Sequence, residues 1–189
     1  MKPIVKVPSN ILTIPAAEVT KFDKKLVRLI SDMRVALITT TNPKGVGLAA
    51  PQVGISSRIF LTRPHENSII RVFINPKIVK QSDQITDGPL RLSEASVPGR
   101  DNKLEGCLSI PNIWGKVNRA ETITLAYQDE AGTKHIEEFH GFLATIIQHE
   151  TDHVNGILFT HRVLEQKQSL YQSAKDENGK EILEEIELK

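Results

Sequence analysis

Gln148-His149-Glu150-Thr151-Asp152-His153-Val154-Asn155-Gly156 is the stretch on which the reading of this chain turns. Two histidines stand four residues apart, with a glutamate directly after the first. On a helix, positions i and i+4 lie on one face, one turn apart. Two imidazole nitrogens can then converge on one metal ion, with the glutamate near enough to handle a proton. Phe142 and Ile146 continue the same stripe upstream, so that Phe142, Ile146, His149 and His153 fall at i, i+4, i+7 and i+11. The spacing predicts a helix over 141–155, stopped by Gly156. Phe142 and Ile146 are read equally well as core or as an apolar surface beside a metal. The bare pattern also arises by chance, so the rest of the chain has to carry the reading.

At 189 residues, the chain is expected to form a single domain over 1–189 with a true core. Charged residues make up 25% and hydrophobic ones 39%, the balance of a soluble globular protein. A net charge of +1 implies no general affinity for polyanions, and no nucleic-acid motif occurs. The N-terminal residues lack the apolar run of a signal peptide, and no run is long enough to span a bilayer. One cysteine, Cys107, cannot form an internal disulfide. Together these features predict a cytoplasmic protein.

Pro3, Pro8 and Pro15 predict extended surface chain over residues 1–19. Thr20 reads as an N-cap with Asp23 three residues on, and Phe22, Leu26, Leu29, Ile30, Met33 and Leu37 recur at helical spacing. A helix is expected over 20–38. After a loop at 39–44 comes Gly45-Val46-Gly47-Leu48-Ala49-Ala50-Pro51-Gln52, where small residues allow close approach to the backbone or simply a tight turn before a strand. It contains neither a phosphate-loop lysine nor a dinucleotide fingerprint. Strands are expected at 58–62, 69–74 and 77–80, then a long polar excursion over 81–103. Further on, the pattern predicts a strand at 121–127, a turn at 130–133, a returning strand at 134–138 and a short helix at 162–172. The last fourteen residues hold six acids and two lysines. They read as an acidic tail or a terminal strand over about 174–189. Taken alone, Cys107 is either a small buried hydrophobe or a functional thiol.

Three stretches, in this order, resemble the signature motifs of the peptide deformylases: Gly45 to Gln52, Glu105-Gly106-Cys107-Leu108-Ser109, and Gln148 to His153. Val72-Phe73-Ile74-Asn75-Pro76 is similar to the same family, and the likeness covers about residues 43–162. The resemblance implies an α+β fold in which antiparallel strands pack around a central metal-binding helix. It implies Cys107, His149 and His153 as ligands of one divalent metal: Fe(II) in the cell, with Zn, Ni or Co in preparations. Three protein ligands leave an open position, as catalytic sites require. The family implies Glu150 as general base, and the Gln52 amide and Leu108 N–H as oxyanion donors. By the same resemblance Val46, Gly47, Phe142 and Ile146 hold the substrate, the N-formyl-methionyl end of a nascent peptide. Gly45 gives the substrate backbone room, and Glu105 supports the second motif. Transient association with the ribosome follows as an expected partnership. The segments at 39–44 and 81–103 are longer than the family's usual ones, and the acidic C-terminus differs from the basic helix with which some members dock on the ribosome.

His-Glu-x-x-His alone would also suit a zinc metalloprotease. A cysteine within Glu-Gly-Cys-Leu-Ser and the lack of a further downstream ligand motif argue against that rival. An intact Gln52 and Glu150 argue against a non-catalytic metal-bound module.

Overall fold

Ile59-Phe60-Leu61-Thr62 is buried at every position, because helices cover the sheet it belongs to on both faces. Side chains alternate across a strand. Ile59 and Leu61 therefore join one cluster with Leu26, Ile30, Met33 and Leu37, while Phe60 joins another with Ala144, Ile147 and Val154. The structure is a computed structural model and describes residues 3–40, 44–86, 104–177, 179 and 181–186.

In chain order the elements are α1 (Lys24–Thr39), β1 (Gly47–Ala49), β2 (Ile59–Thr62), β3 (Arg71–Gln81), β4 (Ile85–Thr86), β5 (Glu105–Cys107) and β6 (Ile110–Gly115). There follow β7 (Arg119–Ala120), β8 (Thr122–Gln128), β9 (Lys134–His140), α2 (Gly141–Val154), α3 (Phe159–Glu165), β10 (Leu170–Lys175) and β11 (Glu181–Glu185). All strand pairs are antiparallel, in sheets ordered β1-β2-β3-β8-β9, β11-β10-β6-β5 and β4-β7. The α+β architecture expected from the sequence is therefore the one observed. Helix α1 covers one face of the large sheet and α2 the other. Helix α3 closes over β5 and β6 through Phe159 and Val163, which meet Cys107, Ile110 and Leu170. Among the described residues no helix is long and apolar enough to cross a membrane.

Several boundaries differ from the sequence expectation. Asp23, not Thr20, caps α1: its Oδ1 accepts the N–H groups of Lys25 at 2.8 Å and Leu26 at 3.1 Å. Two open donors of the first turn are thereby satisfied by one carboxylate. The strands expected at 69–74 and 77–80 are one strand, β3, with a register shift between Ile74 and Lys77. Asn75 makes the bulge with φ +52°, and its side chain bonds Val19 N and Val19 O, each at 2.8 Å. Residues 1–19 are more than surface chain: Leu12 and Ala16 are buried, and Ala16 N–H donates to Val154 O at 2.9 Å. The helix expected over 162–172 begins earlier and ends at Glu165. Its second half becomes β10, because Leu170 finds Gly115 on the edge of β6. The acidic C-terminal stretch includes a strand, β11, paired with β10. Most of the 81–103 excursion, residues 87–103, lies outside the described residues.

Candidate metal centre

Helix α2 is held in one rotational setting by side-chain amides and a cation. Gln148 locks onto Ala120 of β7 in both directions: Ala120 N–H donates to Oε1 at 3.0 Å, and Nε2 donates to Ala120 O at 2.9 Å. At the C-terminal end Arg58 donates to Asn155 Oδ1 at 2.9 Å and to Val154 O at 3.3 Å, placing a cation at the negative end of the helix dipole. Gly156 follows with φ +74°, the left-handed stop expected of it. With the roll of α2 set, His149 and His153 turn towards β5.

There they meet Cys107. Its Sγ lies 3.1 Å from His153 Nε2, and the three possible donor atoms of Cys107, His149 and His153 lie within 4.8 Å of one another. Around one tetrahedral ion, sulfur and nitrogen donors stand about 3.5 Å apart. The cluster has that scale, and its thiolate and two imidazoles suit a divalent transition metal. His149 Nδ1 bonds Glu105 Oε2 at 2.9 Å, which leaves Nε2 to face the cluster. His153 Nδ1 is buried without a hydrogen-bond partner among the described residues.

Behind the cluster runs a chain of buried charges. Arg119 grips Glu105 with Nε at 2.8 Å and Nη2 at 3.0 Å, and reaches Asp152 Oδ2 with Nη1 at 2.6 Å. Arg162 closes on the same Asp152 at 2.8 and 3.2 Å. Burial would raise the pKa of Glu105, but Arg119 and His149 hold it down at about 2. Burial likewise opposes ionisation of Cys107, yet His153 and His149 bring its thiol well below the usual range. Glu150 shows the reverse: desolvation pushes its carboxyl up to about 7. Glu150 Oε2 is buried and has no hydrogen-bond partner among the described residues.

The first motif comes against this group from β1. A Cβ on Gly47 would stand 2.3 Å from Glu150 Oε1, so the absent side chain is what gives the carboxylate its room. A Cβ on Gly45 would stand 2.8 Å from Leu37 Cδ1, so its nearest neighbour is α1. Gln52 is buried, with Oε1 accepting Ala49 N–H at 2.8 Å and Nε2 lying 3.5 Å from Cys107 Sγ and 3.3 Å from Ser109 Oγ. The second motif is kept in place through Gly106, which is bare because the Trp114 ring lies on it; a Cβ there would be 2.6 Å from that ring. Leu108 is buried and packs with the α1 cluster. Of the apolar stripe, Ile146 is buried, while Phe142 is half-buried beside the His65 ring at 6.4 Å. Val46 is half-buried and adjoins Gly47. Sequence reading missed Arg119, Asp152 and Arg162. Asp152 stood within the decisive stretch, but nothing local marks Arg119 as buried.

Comparison with known proteins agrees with this geometry. Residues 1–169 match the family model for polypeptide deformylase. Peptide deformylase 1 of Bacillus cereus is 39% identical over 161 residues, spanning 85% of this chain and 90% of that protein. Its counterpart in Bacillus subtilis is 36% identical over 163 residues, spanning 86% and 90%. The crystal structure of peptide deformylase from Thermotoga maritima aligns with a TM-score of 0.72 at 34% identity, covering 86% of this chain and 97% of that one. An actinonin-bound class I type b peptide deformylase from Acinetobacter baumannii aligns with a TM-score of 0.71 at 33% identity, covering 86% and 98%. Identity of this order across nearly the whole length of each relative does not favour a metalloprotease: the chain belongs to the peptide deformylase family of hydrolases, enzymes that remove the N-terminal formyl group.

Proposed function

We propose that the chain is one catalytic domain that hydrolyses the formyl group from N-formyl-methionyl nascent peptides in the cytoplasm, with Cys107, His149 and His153 holding a divalent ion. The observation that carries the reading is the convergence of those three donor atoms within 4.8 Å, one residue from Glu150, whose buried Oε2 has no hydrogen-bond partner among the described residues. When bound, the ion supplies a Lewis acid that acidifies water and polarises the formyl oxygen. Fe(II) is the ion proposed for the cell, and Zn, Ni or Co are proposed as substitutes in preparations.

Glu150 takes a proton from the attacking water and later delivers it to the departing amine. In the metal-free protein, burial already holds this carboxyl above its ordinary range, so it retains a proton more readily than an exposed glutamate. Water oxygen bonds to the formyl carbon, the carbon–nitrogen bond breaks, and formate and a free amino terminus result. The Gln52 amide and the Leu108 N–H donate to the oxyanion as it forms. Strands β1 and β5 each end a sheet among the described residues, so their backbone edges can take the substrate as an added extended segment. Val46, Gly47, Phe142 and Ile146 would line that passage, with the half-buried Phe142 against the methionine side chain. Transient contact with the ribosome would supply the formylated chains.

The test is formate release from a formyl-Met peptide by the metal-loaded protein. Wild type is expected to release it, while Glu150→Ala binds the same metal and loses turnover by at least about a hundredfold. Retention of most activity by Glu150→Ala would remove Glu150 from its role. Cleavage of unformylated peptides without formate would overturn the reading as a whole.

A further inference from the structure

The segment ahead of α1 crosses two of the motifs in three successive residues. Val5 N–H donates to Gln52 O at 2.8 Å, and Val7 N–H donates to Ser109 O at 3.0 Å. Between them, Lys6 Nζ donates to Leu108 O. The Leu108 carbonyl and the Ser109 N–H are opposite ends of one peptide unit. That N–H donates to Cys107 Sγ at 3.4 Å. A cation at the oxygen end of a peptide draws electron density along it and makes the N–H end a stronger donor. Leu108 and Ser109 are 8% and 0% exposed, so the peptide itself lies out of water, while Lys6 reaches its oxygen from an exposed position.

We propose that Lys6 is a positioning residue for the metal-binding thiolate: through the Leu108–Ser109 peptide, its ammonium strengthens the hydrogen bond on Cys107 Sγ and reduces the electron donation of the sulfur to a bound ion. The inference rests on the reading of Cys107 as a metal ligand. Hydrogen bonds to a ligand atom tune the acidity of the ion it holds. The Gln52 amide at 3.5 Å is a second such donor to Sγ, so the sulfur is approached from both motifs that the N-terminal segment ties together. Because the backbone of Val5 and Val7 makes the ties, the Lys6 ammonium can be removed with the segment still anchored.

The experiment uses the full chain loaded with Co(II), as wild type, Lys6→Met, Lys6→Gln, Lys6→Arg and the surface control Lys77→Met. The readouts are the thiolate-to-cobalt charge-transfer band, kcat and KM, with thermal melting to verify folding. Lys6→Met and Lys6→Gln are expected to move the band to longer wavelength. Their kcat should fall by less than about tenfold, a milder loss than direct partners of a ligand give, at unchanged KM. Lys6→Arg restores both, since a guanidinium can reach the same carbonyl, and Lys77→Met matches wild type. A wild-type band position in both neutral variants overturns the proposal, whatever their activity. Absence of any thiolate band in wild type overturns instead the reading of Cys107 on which it rests.

Discussion

Glu150 keeps its Oε2 buried with no hydrogen-bond partner among the described residues, and Gly47 is the residue that leaves space for the carboxylate. The carboxyl is pushed up to about 7, above the ordinary value near 4.3 of an unfolded chain. A raised carboxyl pKa weakens the folded state as pH climbs from the unfolded value through the folded one, because only the unfolded chain ionises freely there. In metal-free protein, Glu150→Gln should therefore match wild type at pH 4 and exceed it by up to about 3 kcal/mol at pH 8. Urea unfolding at the two pH values measures the gap; an equal difference at both would refute it. Gly47→Ala sets a methyl group 2.3 Å from Glu150 Oε1 and must swing the carboxylate aside. We expect kcat to fall at least about tenfold while metal content, measured by elemental analysis, stays constant. Glu150 stood out in the sequence beside its histidine. Its contact with Gly47 did not, since a glycine in a sequence does not say which side chain fills the space it leaves.

At the level of elements, α2 ends where the N-terminal segment passes beneath it. Gly156 has φ +74°, and a Cβ there would stand 2.7 Å from the backbone of Ile14. Gly179 has φ +77° but open space around it. Alanine at Gly179 should cost about 1 kcal/mol, the left-handed penalty alone. At Gly156 the same change also displaces backbone and should cost at least about 2 kcal/mol. Denaturant melts of the two variants decide the order, and a Gly179 effect as large as that of Gly156 would contradict it. Period-2 and helical patterns marked α1, β2, β3, β8, β9 and α2, but not β1, β10 or the short strands β4 to β7. The failures have local causes. Asn75-Pro76 reads as a strand break but is absorbed as a bulge, because the Asn75 amide bonds Val19. Residues 170–172 read as helix but pair with β6, whose open edge no local pattern reveals.

Across the whole molecule, the charges Arg162, Asp152, Arg119, Glu105 and His149 form one hydrogen-bonded chain from a half-buried guanidinium to the Cys107–His149–His153 cluster. Breaking a buried ionic network by removing one member costs about 3–5 kcal/mol. Arg119→Ala should show a loss of that size in denaturant melts and weaken metal binding by about 10- to 100-fold, measured by competition with a chelator. Because Glu105 is held at about 2, its contribution is complete above the ordinary carboxylate pKa and is lost as pH falls towards 2. Acid unfolding of wild type should consequently steepen between about pH 4.3 and pH 2, and Glu105→Gln should flatten that limb. An unchanged acid limb in Glu105→Gln would detach Glu105 from the stability of the fold.

By itself, the sequence determined that a helix would carry two imidazoles and a carboxylate on adjoining positions, because that is a property of spacing along a few turns; that antiparallel strands pack around it was implied by the family resemblance alone. The three motif stretches also marked the family, since each is contiguous. The resemblance had already joined Cys107 to the two histidines; what only the tertiary structure decided is which further distant groups complete the site: Gly47 under Glu150, Arg119 between Glu105 and Asp152, and Lys6 on the Leu108 carbonyl. Those pairings depend on the register of two sheets and the roll of one helix. No interaction between near neighbours in the chain encodes either, so they exist only once the core has closed.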